Sequence, residues 1–365
     1  MSNITEYKNI MAFHPGYYIS DIIEDMGISQ AEFAVRVGTT AKNISTLVNG
    51  QIKLSLDMAK KVSAMTGTSV EMWLNLQEEF DKKIIEIERA KDLDSQKEVM
   101  SEIDYNFFTK IAHLPVTRSI PEKIQNLCRY LMIADLRILQ QPDFLVNYRT
   151  GVPTFNAKNA INSRAWLQTA INVSRSIVTD PYSAEKLKSY LPELRSMTVK
   201  SPEEFVPRMQ EIFSQCGIAF VLLPHLKNSG INGAVKWVSN DRVVLAMNTR
   251  GAYADKFWFT LFHEIKHVFQ QKLKTVFISS SNDDFENINA QLEDDADRFS
   301  SDYLIPPEKL RQWHPNTYTT DSEICAFANS INIHPGIVAG RLQHEKIIPE
   351  NRCTRLKERY TIVIE

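Results

Sequence analysis

The chain has 365 residues, which suggests two or three domains at roughly 150 residues each. Hydrophobic residues make up 43% and charged residues 24% of it, and the low counts of 12 Gly and 15 Pro exclude collagen-like and low-complexity proteins. The 42 Lys and Arg against 44 Asp and Glu give a net charge of −2, so nucleic-acid binding would depend on a local basic patch. Four scattered cysteines, no CxxC pair, no signal peptide and no long apolar stretch predict a cytoplasmic protein without a membrane span.

Apolar spacing and turn signals divide the sequence into unlike parts. Helical spacing with frequent start and stop signals dominates up to residue 215, and strand patterns first appear at 218–223, 234–238 and 243–247. Two further helices follow, one around an apolar HExxH string and one over Ile288–Leu304. We therefore predict an α+β fold that is mostly helical.

Five segments are predicted along the chain, and the last two are expected to pack together. They are a helix-turn-helix domain at 1–84, a charged helical connector at 85–106, a helical middle region at 107–215, a domain with a small sheet and the HExxH helix at 216–310, and a helical tail at 311–365.

Two short helices near the N-terminus carry the helix-turn-helix pattern. One is predicted from Ser29 to Gly38 and the other from Ala41 to Val48, with a tight turn between them. In this motif the first turn of the second helix enters the major groove, where side chains reach phosphates and base edges. The candidate DNA contacts are Gln30, Thr40, Lys42, Asn43 and Thr46.

The charge around this motif supports DNA binding only locally. Five cations and one acid, Asp57, lie between Arg36 and Lys61, although residues 1–83 hold eight Lys and Arg against ten Asp and Glu. The alternative is a helical bundle used only for dimerisation or toxin binding. The segment Ser29–Asp81, which reads SQAEFAVRVGTT and ends NLQEEFD, resembles the HigA-type branch of the XRE/Cro repressor family. That resemblance implies binding to operator DNA as a homodimer.

The string His263-Glu264-Ile265-Lys266-His267 predicts a zinc site. The i, i+4 spacing places both imidazoles on one helix face, with Cβ atoms roughly 6 Å apart, where they can bind Zn²⁺ together. Glu264 is rotated by about 100° from His263, which suits a general base beside the metal better than a ligand. The alternative is a pair of core histidines that hydrogen-bond to the backbone.

A catalytic zinc needs a third protein ligand and an open position. Glu293 and Asp297 are also i, i+4, and we expect Glu293 to bind the metal and Asp297 to accept a hydrogen bond from an imidazole. Asp295 is a less suitable ligand because its shorter side chain must reach farther. The alternative for this segment is an acidic, solvated helix face.

Five segments resemble the ImmA/IrrE metallopeptidase family. They are Gly230–Asn248 (GINGAVKWVSNDRVVLAMN), Phe257–Gln270 (FWFTLFHEIKHVFQ), the ExxAD of Glu293–Asp297, Asp297–Pro306 (DRFSSDYLIP) and Ile333–Gln343 (IHPGIVAGRLQ). The resemblance implies a small zincin-like metallopeptidase fold over 216–310 that cleaves a partner repressor or a related regulator. It also implies zinc ligands and a catalytic acid/base, which match His263, His267 and Glu293 as ligands and Glu264 as acid/base.

Three further side chains are weaker candidates for roles in the cleft. Lys266 departs from the family pattern, where a small residue is common, and we expect it near the cleft, where it would restrict access. Tyr303 is a candidate donor to a tetrahedral intermediate, and His334 a candidate for holding an oxyanion. For both Tyr303 and His334, packing is the favoured role.

Together these patterns predict a transcriptional regulator with a narrow zinc endopeptidase that cuts a specific regulatory protein. The alternative is an antitoxin-like repressor that binds a toxin and operator DNA, with zinc in a structural or sensing role. Glu264 favours the peptidase, because a structural zinc site needs no acid between its histidines. The joint occurrence of HExxH and ExxAD disfavours a metal-free scaffold.

Overall fold

A computed structural model of the chain describes residues 3–141, 157–249, 253–274 and 282–362. The chain divides into two compact units, Met1–Glu98 and Val99–Glu365, and the division falls inside one long helix. The described part is mostly helical with two small sheets, which confirms the predicted α+β class. Each helix in these ranges is too short or too polar to cross a lipid bilayer.

The first unit begins with an antiparallel hairpin of β1 (Ile4–Tyr7) and β2 (Ile10–Phe13). The sequence did not predict this hairpin, because its turn contains no glycine although Lys8 adopts a φ of 54°. The helices that follow are α1 (Pro15–Asp25), α2 (Gln30–Arg36), α3 (Ala41–Val48), α4 (Leu56–Thr66) and α5 (Val70–Ser101), which continues into the second unit.

Helices α2 and α3 form the predicted helix-turn-helix. The Ser29 hydroxyl accepts a hydrogen bond from the Glu32 amide at 3.1 Å, and the Thr40 hydroxyl accepts one from the Asn43 amide at 3.2 Å, so each helix begins at a side-chain cap. Gly38 follows α2 with a φ of 64°, a conformation that favours glycine and turns the chain towards α3. The core beneath the motif includes the buried side chains of Ile19, Phe33, Ile44, Leu47 and Trp73.

The second unit contains the other helices and a three-stranded sheet. Its helices are α6 (Tyr105–Ile111), α7 (Ile120–Leu131), α8 (Ala157–Ser174), α9 (Ala184–Ser196), α10 (Pro202–Gln215), α11 (Ala254–Lys274), α12 (Asn282–Leu304), α13 (Pro307–Trp313), α14 (Asp321–Ser330) and α15 (Pro335–His344). Its strands are β3 (Ile218–Leu223), β4 (Gly233–Ser239) and β5 (Arg242–Asn248).

The sheet of the second unit has the order β3-β5-β4, with β3 parallel and β4 antiparallel to β5. All six residues of β3 are buried, whereas β4 is an edge strand whose last two residues are exposed. Helix α11 packs against β4, β5, α12 and α15. Helix α11 therefore lies at the centre of this unit, with the edge strand β4 beside it.

The hydrophobic core around α11 draws side chains from a long stretch of the chain. It includes Leu187 of α9, Phe213 of α10, Ile337 of α15 and Tyr360 near the C-terminus. Helices assigned by sequence to the middle region and to the tail thus share one core with α11. The predicted boundaries at 84/85, 106/107, 215/216 and 310/311 stay predictions.

Candidate metal centre and nucleic-acid interface

Two histidines of α11 and one glutamate of α12 bring three potential metal ligands together. Nε2 of His263 lies 2.8 Å from Nε2 of His267, and Oε2 of Glu293 lies 3.3 Å from the first nitrogen and 3.5 Å from the second. Tetrahedral zinc with bonds of about 2.0–2.2 Å separates its ligand atoms by roughly 3.3–3.5 Å. Two imidazole nitrogens and one carboxylate therefore fit a zinc ion once the histidine pair opens by about half an ångström.

Hydrogen bonds set the protonation of both histidines. Nδ1 of His263 donates to Oδ1 of Asp297 at 2.8 Å. Burial lowers the pKa of His263, but its hydrogen bonds to Asp297 and Glu293 and the nearby charge of Glu264 outweigh burial and raise the pKa to about 10. Burial lowers the pKa of His267. At neutral pH His263 thus carries a proton that an incoming metal must displace.

Glu264 lies in the wall of a cleft of about 1000 Å³ that His263 and Glu293 also line. Its side chain is 3% exposed and contacts the first residue of β4, Gly233. A Cβ atom on Gly233 would lie 2.7 Å from Cγ and 2.9 Å from Oε1 of Glu264. The missing side chain at this position therefore lets the Glu264 carboxylate lie against the edge strand.

Gln270 is a polar contact of the site that sequence reasoning missed. Its Oε1 lies 2.8 Å from Nδ1 of His267, and its Nε2 donates to the Leu292 carbonyl at 3.0 Å and to Oδ2 of Asp295 at 2.9 Å. It lies three residues after His267, so helical spacing alone could have placed it on that face. Asp295 thus faces Gln270, while Glu293 faces the histidines.

Lys266 also contacts Asp295, with 3.1 Å between Nζ and Oδ2. Its ammonium lies over the ring of Phe299, 5.4 Å from the centroid. Among the residues that the structure describes, those lining the cleft do not include Lys266. Lys266 therefore contacts α12, whereas the sequence predicted a position near the cleft.

Tyr303 and His334 make packing and capping contacts. The ring of Tyr303 stacks on Phe262 with 5.3 Å between centroids. His334 caps α15, where its Nδ1 accepts from the Gly336 amide at 3.0 Å and its Nε2 lies 3.1 Å from a carboxylate oxygen of Glu358. Neither side chain lines the cleft in the described ranges.

The predicted DNA contacts lie together on the helix-turn-helix. Gln30, Thr40 and Lys42 are exposed, while Asn43 and Thr46 are half-buried. The Thr46 hydroxyl donates to the Lys42 carbonyl at 3.0 Å, and Nδ2 of Asn43 donates to the Thr39 hydroxyl at 3.0 Å. Both polar side chains are therefore held on the helix surface by local bonds.

Ion pairs reduce the positive charge available to a phosphate backbone. Arg36 pairs with Glu32, Lys53 with Asp81 and Lys61 with Asp57. Of the five cations between Arg36 and Lys61, the other two, Lys42 and Lys60, form no ion pair with an acid in residues 3–141, which are all described. Lys42, at the first turn of α3, is thus the basic side chain best placed for a phosphate.

Two family models match this chain. Residues 19–73 match the helix-turn-helix model, and residues 226–343 match the peptidase M78 model, described as the IrrE N-terminal-like domain. These matches confirm the two resemblances drawn from the sequence. The three potential metal ligands and Glu264 lie within the second matched segment.

Similar proteins share a limited part of the chain. The HTH-type transcriptional regulator YddM of Escherichia coli is 33% identical over 92 residues, which are 24% of this chain and 98% of that protein. Virulence-associated protein A′ of Dichelobacter nodosus is 36% identical over 69 residues, which are 19% of this chain and 60% of that protein.

Two solved structures also match. An antidote protein of a plasmid maintenance system from Nostoc punctiforme has 30% identity and a TM-score of 0.23, covering 23% of this chain and 92% of its own. An addiction module antidote protein of a HigA family from Coxiella burnetii has 24% identity and a TM-score of 0.21, covering 23% of this chain and 91% of its own.

Proposed function

We propose that this chain, which belongs to the HTH-type transcriptional regulators and carries a peptidase M78 domain, is a zinc-dependent endopeptidase that cuts one specific regulatory protein. The observation that carries the proposal is the triangle of His263, His267 and Glu293, because His263 and Glu293 line the same cleft as Glu264. Three ligands leave a fourth position open, as a catalytic zinc site requires.

Glu264 supplies the proton transfers in this proposal. His263, His267 and Glu293 would hold a zinc ion, which would supply polarisation of a carbonyl and a water acidic enough to lose a proton near neutral pH. The Glu264 carboxylate takes the proton of the attacking water and passes it to the amine that leaves when the peptide bond breaks. Its position in the cleft wall, next to His263 in the chain, supports this role.

The edge of β4 is the proposed docking line for the substrate backbone. Among the described residues, β4 pairs on one side only, with β5, so its other side can add a peptide as a further strand. Gly233 at the start of β4 contacts Glu264, so a peptide paired along this edge would lead towards the base. Main-chain hydrogen bonds of this kind align a scissile bond without selecting a sequence, so selectivity would come from other contacts.

The proposal is tested by incubating the zinc-loaded chain with regulators encoded beside its own gene and analysing the products by mass spectrometry. We expect cleavage of one regulator at one or a few sites, and little or no cleavage of casein, because remote contacts with the cognate protein position the peptide. Rapid digestion of casein would contradict the narrow specificity.

The alternative, a repressor that captures a toxin without proteolysis, predicts a different outcome of the same incubation. A stable complex would form, and both proteins would keep their full masses. The buried carboxylate of Glu264 beside two histidines favours the peptidase, because a purely structural site has no use for it.

Gly233→Ala is expected to slow cleavage by roughly ten- to a hundredfold. The new Cβ would lie 2.7 Å from Cγ of Glu264 and displace its carboxylate from the scissile bond. Zinc affinity should stay close to that of the wild type, because the atoms nearest to the new Cβ belong to Glu264 and Thr260 and not to the three ligands. Rates and zinc affinity measured on one preparation check this; unchanged cleavage would show that Glu264 tolerates the displacement.

Lys42→Ala is expected to weaken DNA binding on all sequences and to reduce the slope of log affinity against log salt by about one. Asn43→Ala and Thr46→Ala should instead change sequence preference, since we expect the side chains of this helix to face base edges in the major groove. Binding is measured by titration of labelled DNA at several salt concentrations, with Lys110→Ala on α6 as control. We expect a homodimer on a two-fold symmetric DNA site. Equal binding to all DNA sequences would contradict the predicted sequence specificity.

A further inference from the structure

We infer that Gln270 is a positioning residue that fixes the proton of His267 on Nδ1 and thereby presents Nε2 to the metal, with Asp295 and Lys266 holding its amide in place. The inference rests on the zinc site of the proposed function and adds three residues to it. None of these residues is a metal ligand. Lys266 contacts Asp295, Asp295 accepts a hydrogen bond from Gln270, and Gln270 contacts the imidazole of His267.

The orientation of the Gln270 amide follows from its surroundings. Its Nε2 group faces two acceptors, the Leu292 carbonyl at 3.0 Å and Oδ2 of Asp295 at 2.9 Å. An amide flipped by half a turn would place its oxygen against both acceptor oxygens, and both hydrogen bonds of Gln270 would be lost. The side chain is 5% exposed, so water cannot easily replace the lost bonds. The carbonyl oxygen must therefore face His267.

The orientation of the amide in turn determines the tautomer of His267. Oε1 of Gln270 lies 2.8 Å from Nδ1 of His267 and can only accept, so Nδ1 must carry the proton. Nε2 is then left with its lone pair and faces His263 and Glu293. A ligand histidine whose other nitrogen donates to an oxygen is held in the tautomer and ring angle that binding needs.

Lys266 and Asp295 extend this contact to the side of α11 that faces α12. Oδ2 of Asp295 receives Nε2 of Gln270 and also lies 3.1 Å from Nζ of Lys266. The ammonium lies over the Phe299 ring, and the Lys266 side chain as a whole is 24% exposed, so it is partly shielded from water. This explains a lysine at a position where a small residue is common in the family that the sequence resembles.

The same bonds tie Gln270 to the helix that carries the third ligand. Leu292 and Asp295, which both accept from Gln270, flank Glu293 along α12. One amide thus connects the His267 imidazole with the turn of α12 that presents the Glu293 carboxylate. Removing it should affect both ligands at once.

The test measures zinc affinity by competition with a chromophoric chelator, and the His267 tautomer by nitrogen-15 shifts of the zinc-free protein. Gln270→Leu should weaken zinc binding about ten- to a hundredfold and allow both tautomers of His267. Lys266→Met, a change at a partly exposed position, should weaken binding about threefold to tenfold through Asp295. In the wild type, the signals of His267 should report a proton on Nδ1.

Gln343→Leu is the matched control. Gln343 is also a buried glutamine whose Nε2 donates to two carbonyls, of Glu350 and Arg352, but within the described residues it makes no hydrogen bond to a histidine ring. It should lower stability while keeping zinc affinity within about twofold. Wild-type zinc affinity in Gln270→Leu, or a proton on Nε2 of His267 in the wild type, would overturn the inference. If Gln270→Leu does not fold, Lys266→Met and the wild-type tautomer still decide. No substrate is used, so a chain that cuts nothing would refute the proposed function alone.

Discussion

Glu264→Gln is expected to reduce cleavage of the cognate regulator by a factor of about 10²–10⁴ while zinc stays bound. The substitution keeps the size of the side chain and its place in the cleft wall, but an amide cannot take a proton from water. Glu264 is not one of the three potential metal ligands, which are His263, His267 and Glu293, so the metal site should stay intact. Product masses over time and zinc content per chain are the two measurements.

An exposed glutamate on α13 provides the control for this experiment. Glu308→Gln removes the same charge from the same unit and should leave both rate and zinc content unchanged. Cleavage by Glu264→Gln at the rate of the wild type would assign the proton transfer to another group. Loss of zinc from that variant would show that Glu264 supports the metal site directly.

Local sequence signals account for the elements that the sequence predicted well. The caps at Ser29 and Thr40 fix the starts of α2 and α3, and the run of six apolar residues at 218–223 is β3. The hairpin at residues 4–13 escaped prediction, because its turn lacks the usual glycine or Asn-Gly pair. Most of the charged connector predicted at 85–106 belongs to α5, which runs from Val70 to Ser101.

Spacing along one helix likewise predicted much of the candidate site. The i, i+4 rule pairs His263 with His267, and the ring nitrogens lie 2.8 Å apart. Contacts between elements were out of reach, because no spacing rule links Gly233 of β4 to Glu264 of α11. Lys266 shows the same limit: helical spacing puts it near His263, but the partner that orients it, Asp295, belongs to another helix.

His263→Ala is expected to weaken zinc binding by about a thousandfold or more, because only two of the three ligands remain. The free energy of zinc binding is roughly 10–16 kcal/mol in structural sites with a complete ligand set, so each ligand contributes a large share. Zinc content after dialysis and the rise in unfolding temperature on zinc addition check this, since a ligand that binds only the folded state raises stability. His334→Ala removes another largely buried histidine, the cap of α15, and should keep its zinc.

The pH dependence of zinc binding tests the same assignment in the wild type. Burial lowers the pKa of His263, but the hydrogen bonds of its ring to Asp297 and Glu293 raise it to about 10, while burial lowers the pKa of His267. Between pH 7 and pH 9, roughly, each zinc should therefore displace one proton, from His263, and affinity should rise about tenfold per pH unit. Calorimetry in buffers of different ionisation enthalpy counts that proton. Zinc binding with no proton released in this range would mean that His263 is already neutral, and the ion pair with Asp297 would then not exist in solution.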